Sequence, residues 1–438
     1  MRAGRRSVRP FFDNTPTILD TYTTVKVKES RTVQLKLLSS PEKEFEETVS
    51  AYLGALNLVS QWVYKKKITN PLRLHDKLYT KVRKKFKLKS QMTQSCFRQV
   101  SASYRSAKKN RYKWDKPLSF KKEAVVLNYP RDFKFNSDDS LSLNTLAGRK
   151  KVRFVCGQHQ RNYLDNGWTR RSGRLVKRRD GWYFHIVVTK EFEVAEMDDR
   201  ETVIGADLGI DNIAVASTST DKIRFFKGGE TKNKKRQYER VTASLQSRKG
   251  TRSSRKVLGR LSGRETRFMA DVNHCVSKGL IRWAAGFEKP VIALEDLTNI
   301  RRQLGVKDGT SSKAQRKGIN RWSYFQLRIF IEYKAHELGI PVIYVNPAWT
   351  SRHCPRCGHT ESGNRNGRRF ECLACRYQNN ADVVASINIR SKATSSRYIL
   401  EEAGSPSMTP EVPSVDAEAL LGTEVEGRDK PLPQGRGN

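Results

Sequence analysis

Three carboxylate residues lie far apart in the chain but share one setting, an apolar segment typical of a buried strand or helix. Asp207 lies within one strand-like apolar segment, Glu295 closes a second, and Asp382 falls in the first turn of an expected helix. A buried carboxylate without a partner is costly, so each should be protonated, paired or bound to a cation. Oxygen ligands suit Mg²⁺ or Mn²⁺, and two such ions ~4 Å apart support phosphodiester hydrolysis. We therefore expect a catalytic, magnesium-binding centre at these three residues.

Each carboxylate also has a simpler interpretation. Asp382 could be a charge that favours a helix N-terminus, Asp207 could belong to a turn, and Glu295 could be a strand-end residue that faces water. Their joint placement on two strands and one helix favours convergence on one point. Asp296 is the alternative to Glu295, but in an extended strand it would point to the opposite face. We therefore prefer Glu295.

Four cysteines form two closely spaced pairs. Two residues separate Cys354 from Cys357, and two separate Cys372 from Cys375. Tetrahedral Zn²⁺ accepts four thiolates, and the short spacing makes turns whose amides can point at sulfur. The pattern predicts a structural zinc site, because four cysteines leave no open position for water. The odd total of seven cysteines also argues against a disulfide framework.

The chain is strongly basic. Its 438 residues include 84 lysines and arginines against 45 aspartates and glutamates, which gives a formal net charge of +39. Such a surplus opposes compaction by self-repulsion unless a polyanion neutralises it. Nucleic acid is the obvious polyanion, because basic side chains release counterions from its phosphates. A surface that is merely solvated usually carries both signs in near balance. Composition therefore favours nucleic-acid binding.

The elements that must position these residues follow from the hydrophobic pattern. Residues 22–38 alternate as in a β-strand, and 45–59 and 92–109 carry apolar stripes at helical spacing. A dense basic segment, 81–89, lies between the two helices. Short strands separated by turns follow from about 112 to 200. This order predicts a helical bundle inserted into a β domain.

Residues 201–390 carry the order strand, strand, strand, helix, strand, helix, strand. A basic helical face within 231–256 should hold nucleic-acid backbone, although a solvated helix is the alternative. Aromatic and basic residues interleave between 112 and 179, which suits phosphate contacts and base stacking. Most of these aromatics could instead fill a β core. The glycine-containing loop 301–320 could be a lid over the centre or a plain surface loop.

Four motifs carry a family resemblance. They are Gly205-Ala-Asp-Leu-Gly-Ile, Leu294-Glu-Asp-Leu, Thr350-Ser-Arg-His-Cys-Pro-Arg-Cys-Gly and Ala381-Asp-Val-Val-Ala-Ser-Ile-Asn-Ile. In order and spacing they resemble the TnpB nucleases of bacterial and archaeal insertion sequences, which are similar to the type V CRISPR effectors. The close matches cover roughly residues 203–390, and upstream the likeness is architectural. One departure is Arg376, which follows the last cysteine where the family usually carries glycine.

The resemblance implies a multi-domain fold of α/β and β class. Its RNase H-like (RuvC) nuclease core would carry an inserted zinc ribbon and follow a β-barrel wedge domain with an inserted helical bundle. Composition adds a basic arm at the start and a proline-rich, acidic tail that we expect to be disordered. The expected boundaries are the arm at 1–21, the wedge at 22–40 and 111–200, the helical recognition domain at 41–110, the nuclease domain at 201–350 and 378–392, the ribbon at 351–377, and the tail at 393–438.

The resemblance also implies an RNA-guided DNA endonuclease associated with an insertion sequence. It would cleave double-stranded target DNA beside a short adjacent motif, with guide RNA and target DNA as partners of a monomer. Asp207, Glu295 and Asp382 would take the catalytic roles with Mg²⁺ or Mn²⁺, and the four cysteines would hold Zn²⁺. A guide-independent or catalytically silent DNA-binding regulator of the transposon is the alternative.

No segment approaches the ~18 apolar residues of a membrane span. The start of the chain is basic but lacks the apolar core of a secretory signal. We therefore expect no membrane partner and a cytoplasmic, nucleoid-associated protein of a bacterium or archaeon.

Overall fold

The computed structural model describes residues 24–38, 40–110, 112–121, 124–178, 180–195, 202–247, 251–261, 263–297 and 324–402. These residues form two compact units. One comprises residues 28–191, and the other comprises 192–402 together with 24–27. The expected arm at 1–21, the loop 301–320 and the part of the tail beyond residue 402 lie outside the described residues.

The first unit combines a seven-stranded sheet, which nearly closes into a barrel, with four helices. In spatial order the strands run β2-β6-β7-β1-β5-β4-β3. The strands are β1 (Thr24–Leu38), β2 (Ala124–Asn128), β3 (Phe133–Phe135), β4 (Ser140–Thr145), β5 (Gly148–Val155), β6 (Thr169–Arg178) and β7 (Gly181–Ala195), and the helices are α1 (Glu42–Lys66), α2 (Pro71–Phe86), α3 (Ser90–Lys109) and α4 (Gln158–Asp165).

One hydrophobic core runs through the sheet and the helices of this unit. Phe45 of α1 packs edge-on against Trp182 of β7, with ring centroids 5.2 Å apart. Helices of this length gain most of their stability from burying an apolar face, and here the sheet supplies the opposing surface. The segments expected as wedge and recognition domains therefore fold as one compact unit. Tyr112, Trp114 and Trp168 pack against the same core, as the core-filling interpretation of the aromatics predicts.

The basic segment 81–89 begins within a helix, α2, that the sequence analysis did not predict. Leu74, Leu78 and Val82 are buried at four-residue spacing, so one face of α2 belongs to the core. The Asn70 side chain accepts a hydrogen bond from the Leu72 amide at 2.9 Å, which caps the helix. Lysines and arginines occupy the other faces of helix α2, and they obscure the apolar stripe when the sequence is read alone.

The second unit is built on a mixed five-stranded sheet in the order β10-β9-β8-β11-β12. Strand β9 is antiparallel to β8 and β10, whereas β11 is parallel to β8 and β12. Three helices, not the expected one, connect β10 to β11 in the described residues. The elements are β8 (Thr202–Asp207), β9 (Asn212–Thr218), β10 (Ile223–Lys227), α5 (Gly229–Ser247), α6 (Arg252–Leu261), α7 (Arg264–Ala284), β11 (Pro290–Glu295), α8 (Tyr324–His336), β12 (Val342–Val345) and α9 (Ala381–Glu402).

A small three-stranded sheet lies between β12 and α9 in the chain. It consists of β13 (Arg365–Asn366), β14 (Arg369–Glu371) and β15 (Gln378–Asn380). We call residues 351–380, which contain this sheet and the four cysteines, the ribbon; its third strand lies just beyond the expected end at residue 377.

Helix α9 runs past residue 393, where composition predicted the start of the tail. The helix continues to Glu402. Ala393 follows Ile389 by one helical turn, and both are buried in the same apolar cluster with Val203 of β8 and Ala293 of β11. This packing extends the helix past the boundary that composition indicated.

Helix α9 approaches strand β8 at backbone distance over Gly205. A Cβ atom at this glycine would lie 2.1 Å from the Ser386 carbonyl oxygen and 2.7 Å from the Arg390 amide nitrogen. The Ser386 hydroxyl also bonds the Ser217 hydroxyl of β9 at 2.9 Å. Only glycine at position 205 allows this separation of helix and sheet.

We predict that Gly205→Ala destabilises the second unit by about 1–3 kcal/mol or more, because the added methyl group meets backbone that cannot move aside. Gly229→Ala is the matched control, since a Cβ there would have no heavy atom within 4 Å. Denaturant unfolding measures both variants. Equal unfolding midpoints for Gly205→Ala and the unaltered chain would contradict the close packing.

Candidate functional site

The parallel pairing of β8 and β11 places two of the expected catalytic residues side by side. Leu294 pairs with Ala206, so the next residues, Glu295 and Asp207, lie together at the carboxyl ends of neighbouring strands. Neighbouring strands are roughly 4.8 Å apart. Asp207 ends strand β8 and does not lie in its middle as the sequence suggested, because the chain turns directly after it. Ends of parallel strands are common sites of ligand binding in α/β folds.

Helix α9 adds the third carboxylate from its first turn. Asp382 is 7% exposed, and its two oxygens have separate partners. Oδ2 accepts a hydrogen bond from the Asn212 side-chain amide at 2.9 Å, and Oδ1 accepts one from the Arg365 guanidinium at 3.2 Å. These bonds fix the orientation of the carboxylate.

The three carboxylates interact electrostatically. Burial raises the pKa of Asp207 well above its ordinary value, and the charges of Glu295 and Asp382 raise it further. Burial also raises the pKa of Glu295, against the lowering effects of Thr350, Lys392 and Arg365. A pair of neighbouring acids with raised pKa values marks a place where negative charge is crowded. Asp207 thus lies within electrostatic range of both Glu295 and Asp382, although the oxygen atoms of the three carboxylates are not close enough together, as arranged here, to share one ion.

Asp296 faces away from this centre. Its side chain is half exposed and pairs with the Arg328 guanidinium at 3.6 Å, whereas Glu295 accepts a hydrogen bond from the Thr350 hydroxyl. The alternation of side chains along an extended strand explains the difference. The geometry therefore favours Glu295 over Asp296.

Several groups at the centre have no signal in the sequence that marks them. Thr350 lies four residues before Cys354, but its bond to Glu295 depends on tertiary structure. Arg365 lies between the cysteine pairs, where no spacing marks it. Burial and then the three carboxylates raise the pKa of Tyr324, so its phenol also faces the centre.

Some basic side chains of the expected face at 231–256 are buried or form ion pairs within the protein. Lys232 of α5 and Arg368 of the ribbon both pair with Asp211, the latter at 3.1 Å. Arg368 and then Lys232 lower the pKa of Asp211 to about 2. The Lys235 side chain is buried. Arg252, Arg255 and Lys256 lie on α6, and Arg248 lies outside the described residues.

The four predicted cysteines converge in the ribbon. The sulfur atoms of Cys354 and Cys375 are 3.7 Å apart, and those of Cys357 and Cys372 are 3.5 Å apart. A tetrahedron with Zn–S bonds of ~2.3 Å has edges of roughly 3.8 Å, which these separations approach. Among the histidine, cysteine, aspartate and glutamate side chains of the described residues, these four cysteines are the one group of three or more whose ligand atoms lie close enough together to share an ion. The cluster could hold a metal such as zinc.

Each cysteine pair forms a similar turn. The amides of Arg356 and Cys357 point at the Cys354 sulfur, and those of Ala374 and Cys375 point at the Cys372 sulfur, as the spacing predicts. A left-handed residue follows each turn.

These left-handed positions are filled differently. Gly358 has φ +77° and bonds the Cys354 carbonyl, and Arg376 has φ +61° and bonds the Cys372 carbonyl. Arg376 thus occupies a conformation that favours glycine.

The fold and the site define an α/β protein with an acidic centre and a cysteine-rich ribbon inserted beside it. A family model described as "Probable transposase" matches residues 185–298, which include Asp207 and Glu295. A model described as "Cas12f1-like, TNB domain" matches residues 324–389, which include the ribbon and Asp382.

Similar proteins come from several prokaryotes. A TnpB-like protein of Methanocaldococcus jannaschii is 30% identical over 269 residues, which cover 60% of this chain and 93% of that protein. "CRISPR-associated endodeoxyribonuclease Cas12f1" of Sulfoacidibacillus thermotolerans is 29% identical over 302 residues, covering 64% and 69%. "Putative RNA-guided DNA endonuclease InsQ" of Escherichia coli (strain K12) is 26% identical over 220 residues, covering 48% and 53%. The chain belongs to the TnpB-like family.

We predict that Arg376→Gly stabilises the metal-loaded ribbon by about 0.5–1 kcal/mol, because glycine adopts the left-handed conformation without strain. The lost contact with Glu371, 3.9 Å long and exposed, contributes little. Resistance of the ribbon to a chelator measures the effect. Gly358→Ala should shift resistance in the opposite direction, and a loss of resistance in Arg376→Gly would contradict the conformational argument.

Proposed function

We propose that this chain is an RNA-guided DNA endonuclease of an insertion sequence. The observation that carries the proposal is the crowding of negative charge around Asp207, from Glu295 and Asp382, in a chain of the TnpB-like family. Relatives named as endodeoxyribonuclease and as RNA-guided DNA endonuclease support it. We further propose that double-stranded target DNA is cut beside a short adjacent motif.

The second unit is proposed to be an RNase H-like, RuvC-type nuclease domain. Its support is a mixed sheet whose parallel strands end in carboxylates, with a helix that adds a third across the same edge. The sheet and helices of the first unit are proposed to be the wedge and recognition domains. Their role would be to hold guide RNA and target DNA.

The chemistry of the acidic centre suits divalent cations such as Mg²⁺ or Mn²⁺, and binding would require the carboxylates to draw closer together than they are here. All three expected ligands are carboxylates, and burial together with their mutual repulsion raises the pKa of Asp207. A bound cation would relieve that repulsion, and hard divalent ions prefer oxygen ligands. Such ions supply the Lewis acidity that phosphodiester hydrolysis needs.

The surrounding residues orient the carboxylates. Thr350 donates to Glu295, and Asn212 donates to Asp382, so each carboxylate presents its remaining lone pairs in a fixed direction. Arg365 contacts Asp382, and its charge partly offsets the rise in the pKa of Glu295 that burial causes. Fixed ligand geometry is what a metal site requires of its protein.

The ribbon is proposed to be a structural zinc site. Four thiolates would fill the coordination sphere and leave no position for water. The ribbon bears Arg365 and Arg368, which bond Asp382 and Asp211. Zinc would therefore act on the acidic centre indirectly, through the arginines whose positions it fixes.

Guide pairing accounts for the charge of the chain. When base pairing reads the target, the protein needs only charge, shape and one short motif reader. A net charge of +39 suits a protein that holds two polyanions at once. The described residues contain no helix long and apolar enough to cross a membrane.

The guided activity is tested with RNA that co-purifies with the protein. We expect the RNA-bound protein to cleave a DNA target that matches the RNA when Mg²⁺ is present. The Glu295→Gln variant should cleave the same target at least about 100-fold more slowly. The loss follows because the amide cannot carry the ligand charge. Gel analysis of single-turnover cleavage measures the rate.

Asp296→Asn is the matched control and should cleave at the unaltered rate, since Asp296 pairs with Arg328 and faces away. Full cleavage after complete removal of RNA would overturn the guided function. Unchanged cleavage by Glu295→Gln would instead overturn the assigned centre.

We also predict that Asp207→Asn abolishes cleavage but stabilises the protein in buffer without Mg²⁺. The folded-state pKa of Asp207 is raised, so its charge destabilises the fold at neutral pH, and the penalty disappears as pH falls below the ordinary value of 3.8. The gain should be on the order of 1–3 kcal/mol at neutral pH and shrink towards pH 4. Thermal unfolding across this pH range measures it, and destabilisation at neutral pH would contradict the crowding of charge.

A further inference from the structure

Trp349 combines a strained backbone with an exposed ring. Its φ is +64°, a left-handed conformation that bulky residues rarely adopt, and its side chain is 54% exposed. Trp114 provides a contrast, because it is also left-handed, at φ +56°, but its ring stacks on Tyr104 with centroids 5.1 Å apart. Ring packing accounts for the left-handed backbone of Trp114. The exposed ring of Trp349 offers no such explanation for its backbone.

The surrounding structure holds Trp349 in this conformation. Two side chains of α9, one turn apart, bond the main chain on both sides of it. Lys392 donates to the carbonyl oxygens of Asn346, at 3.0 Å, and of Ala348, and Asn388 donates to that of Thr350 at 2.7 Å. Strained residues that neighbouring contacts over-determine cluster at active sites and ligand clamps.

The position of Trp349 relates it to the acidic centre. The next residue, Thr350, donates its hydroxyl to Glu295. The Arg352 guanidinium lies over the Trp349 ring, 5.9 Å from its centroid. The ring is therefore one residue from a bond to the centre and carries a cation beside it. An aromatic face with an adjacent arginine is the usual platform for a base of single-stranded nucleic acid.

We propose that Trp349 stacks against one base of the DNA strand that enters the acidic centre. The inference rests on the proposed nuclease function and deepens it. Stacking tolerates any base, because every base has a π-face. Base stacking therefore suits an enzyme whose target sequence is selected by a guide. The stacked base would position the neighbouring phosphate without any recognition of sequence by the protein.

Trp349→Gly separates stacking from a structural role. Glycine removes both the ring and the strain, so the unfolding midpoint should equal or exceed that of the unaltered chain. We expect the single-turnover cleavage rate to fall at least roughly fivefold, the range for loss of one base–aromatic stack. Trp349→Tyr keeps an aromatic face and should retain most of the rate. Phe225→Ala, which removes an exposed aromatic on edge strand β10, is the matched control and should cleave normally.

A fluorescence experiment tests the contact without cleavage. Single-stranded DNA with 2-aminopurine placed at successive positions is bound by the RNA-loaded Glu295→Gln protein. Stacking should quench one position, and Glu295→Gln combined with Trp349→Gly should lose that quenching. Such a result supports the contact even if no DNA is cut, so failure of the nuclease function is distinguished from failure of this inference. Equal quenching in both proteins, or a Trp349→Gly variant that is slow only because it is unstable, would overturn it.

Discussion

The packing of helix α9 against strand β8 is the constraint on which the acidic centre depends. Asp207 ends the strand and Asp382 begins the helix, so the distance between helix and sheet sets the distance between these carboxylates. Gly205 lets the two backbones approach until no Cβ would fit. Their charges repel, yet they can separate only if the apolar cluster around Val203 and Ile389 is opened. The free energy gained by burying apolar area in this cluster therefore offsets the repulsion between the carboxylates.

The ribbon depends on the same helix and contributes to the same centre. Asn388 of α9 bonds the carbonyl oxygens of Thr350 and His353, both at 2.7 Å, where the chain enters the ribbon. At its far end the ribbon returns directly into α9, with β15 ending at Asn380. Arg365 then reaches back to Asp382. A metal held by the four cysteines would thus act on the acidic centre only through the backbone and the arginine positions.

Local patterns in the sequence predicted the parts of the fold that repeat or alternate. The apolar segments around Asp207 and Glu295 predicted strands, and the paired cysteines predicted a cluster, because each signal needs only near neighbours. The choice of Glu295 over Asp296 followed from side-chain alternation alone. Helix α2 was missed because lysines obscured its stripe of Leu74, Leu78 and Val82. Partners such as Thr350 and Arg365 could not be predicted, since their contacts with the carboxylates join elements far apart in sequence.

Trp349 and Arg376 both have a left-handed backbone conformation, but the strain in each has a different cause. Arg376 follows a cysteine turn, where the geometry demands a positive φ and glycine would satisfy it, so its strain is a local cost of residue choice. Trp349 lies where no metal turn requires the conformation. There, Asn388 and Lys392 of α9 impose it through bonds to the flanking carbonyls. A helix that already positions Asp382 thereby also fixes an exposed aromatic ring one residue from the Glu295 contact. Backbone strain that a supporting helix imposes beside a buried carboxylate is the kind of strain from which a function can be inferred.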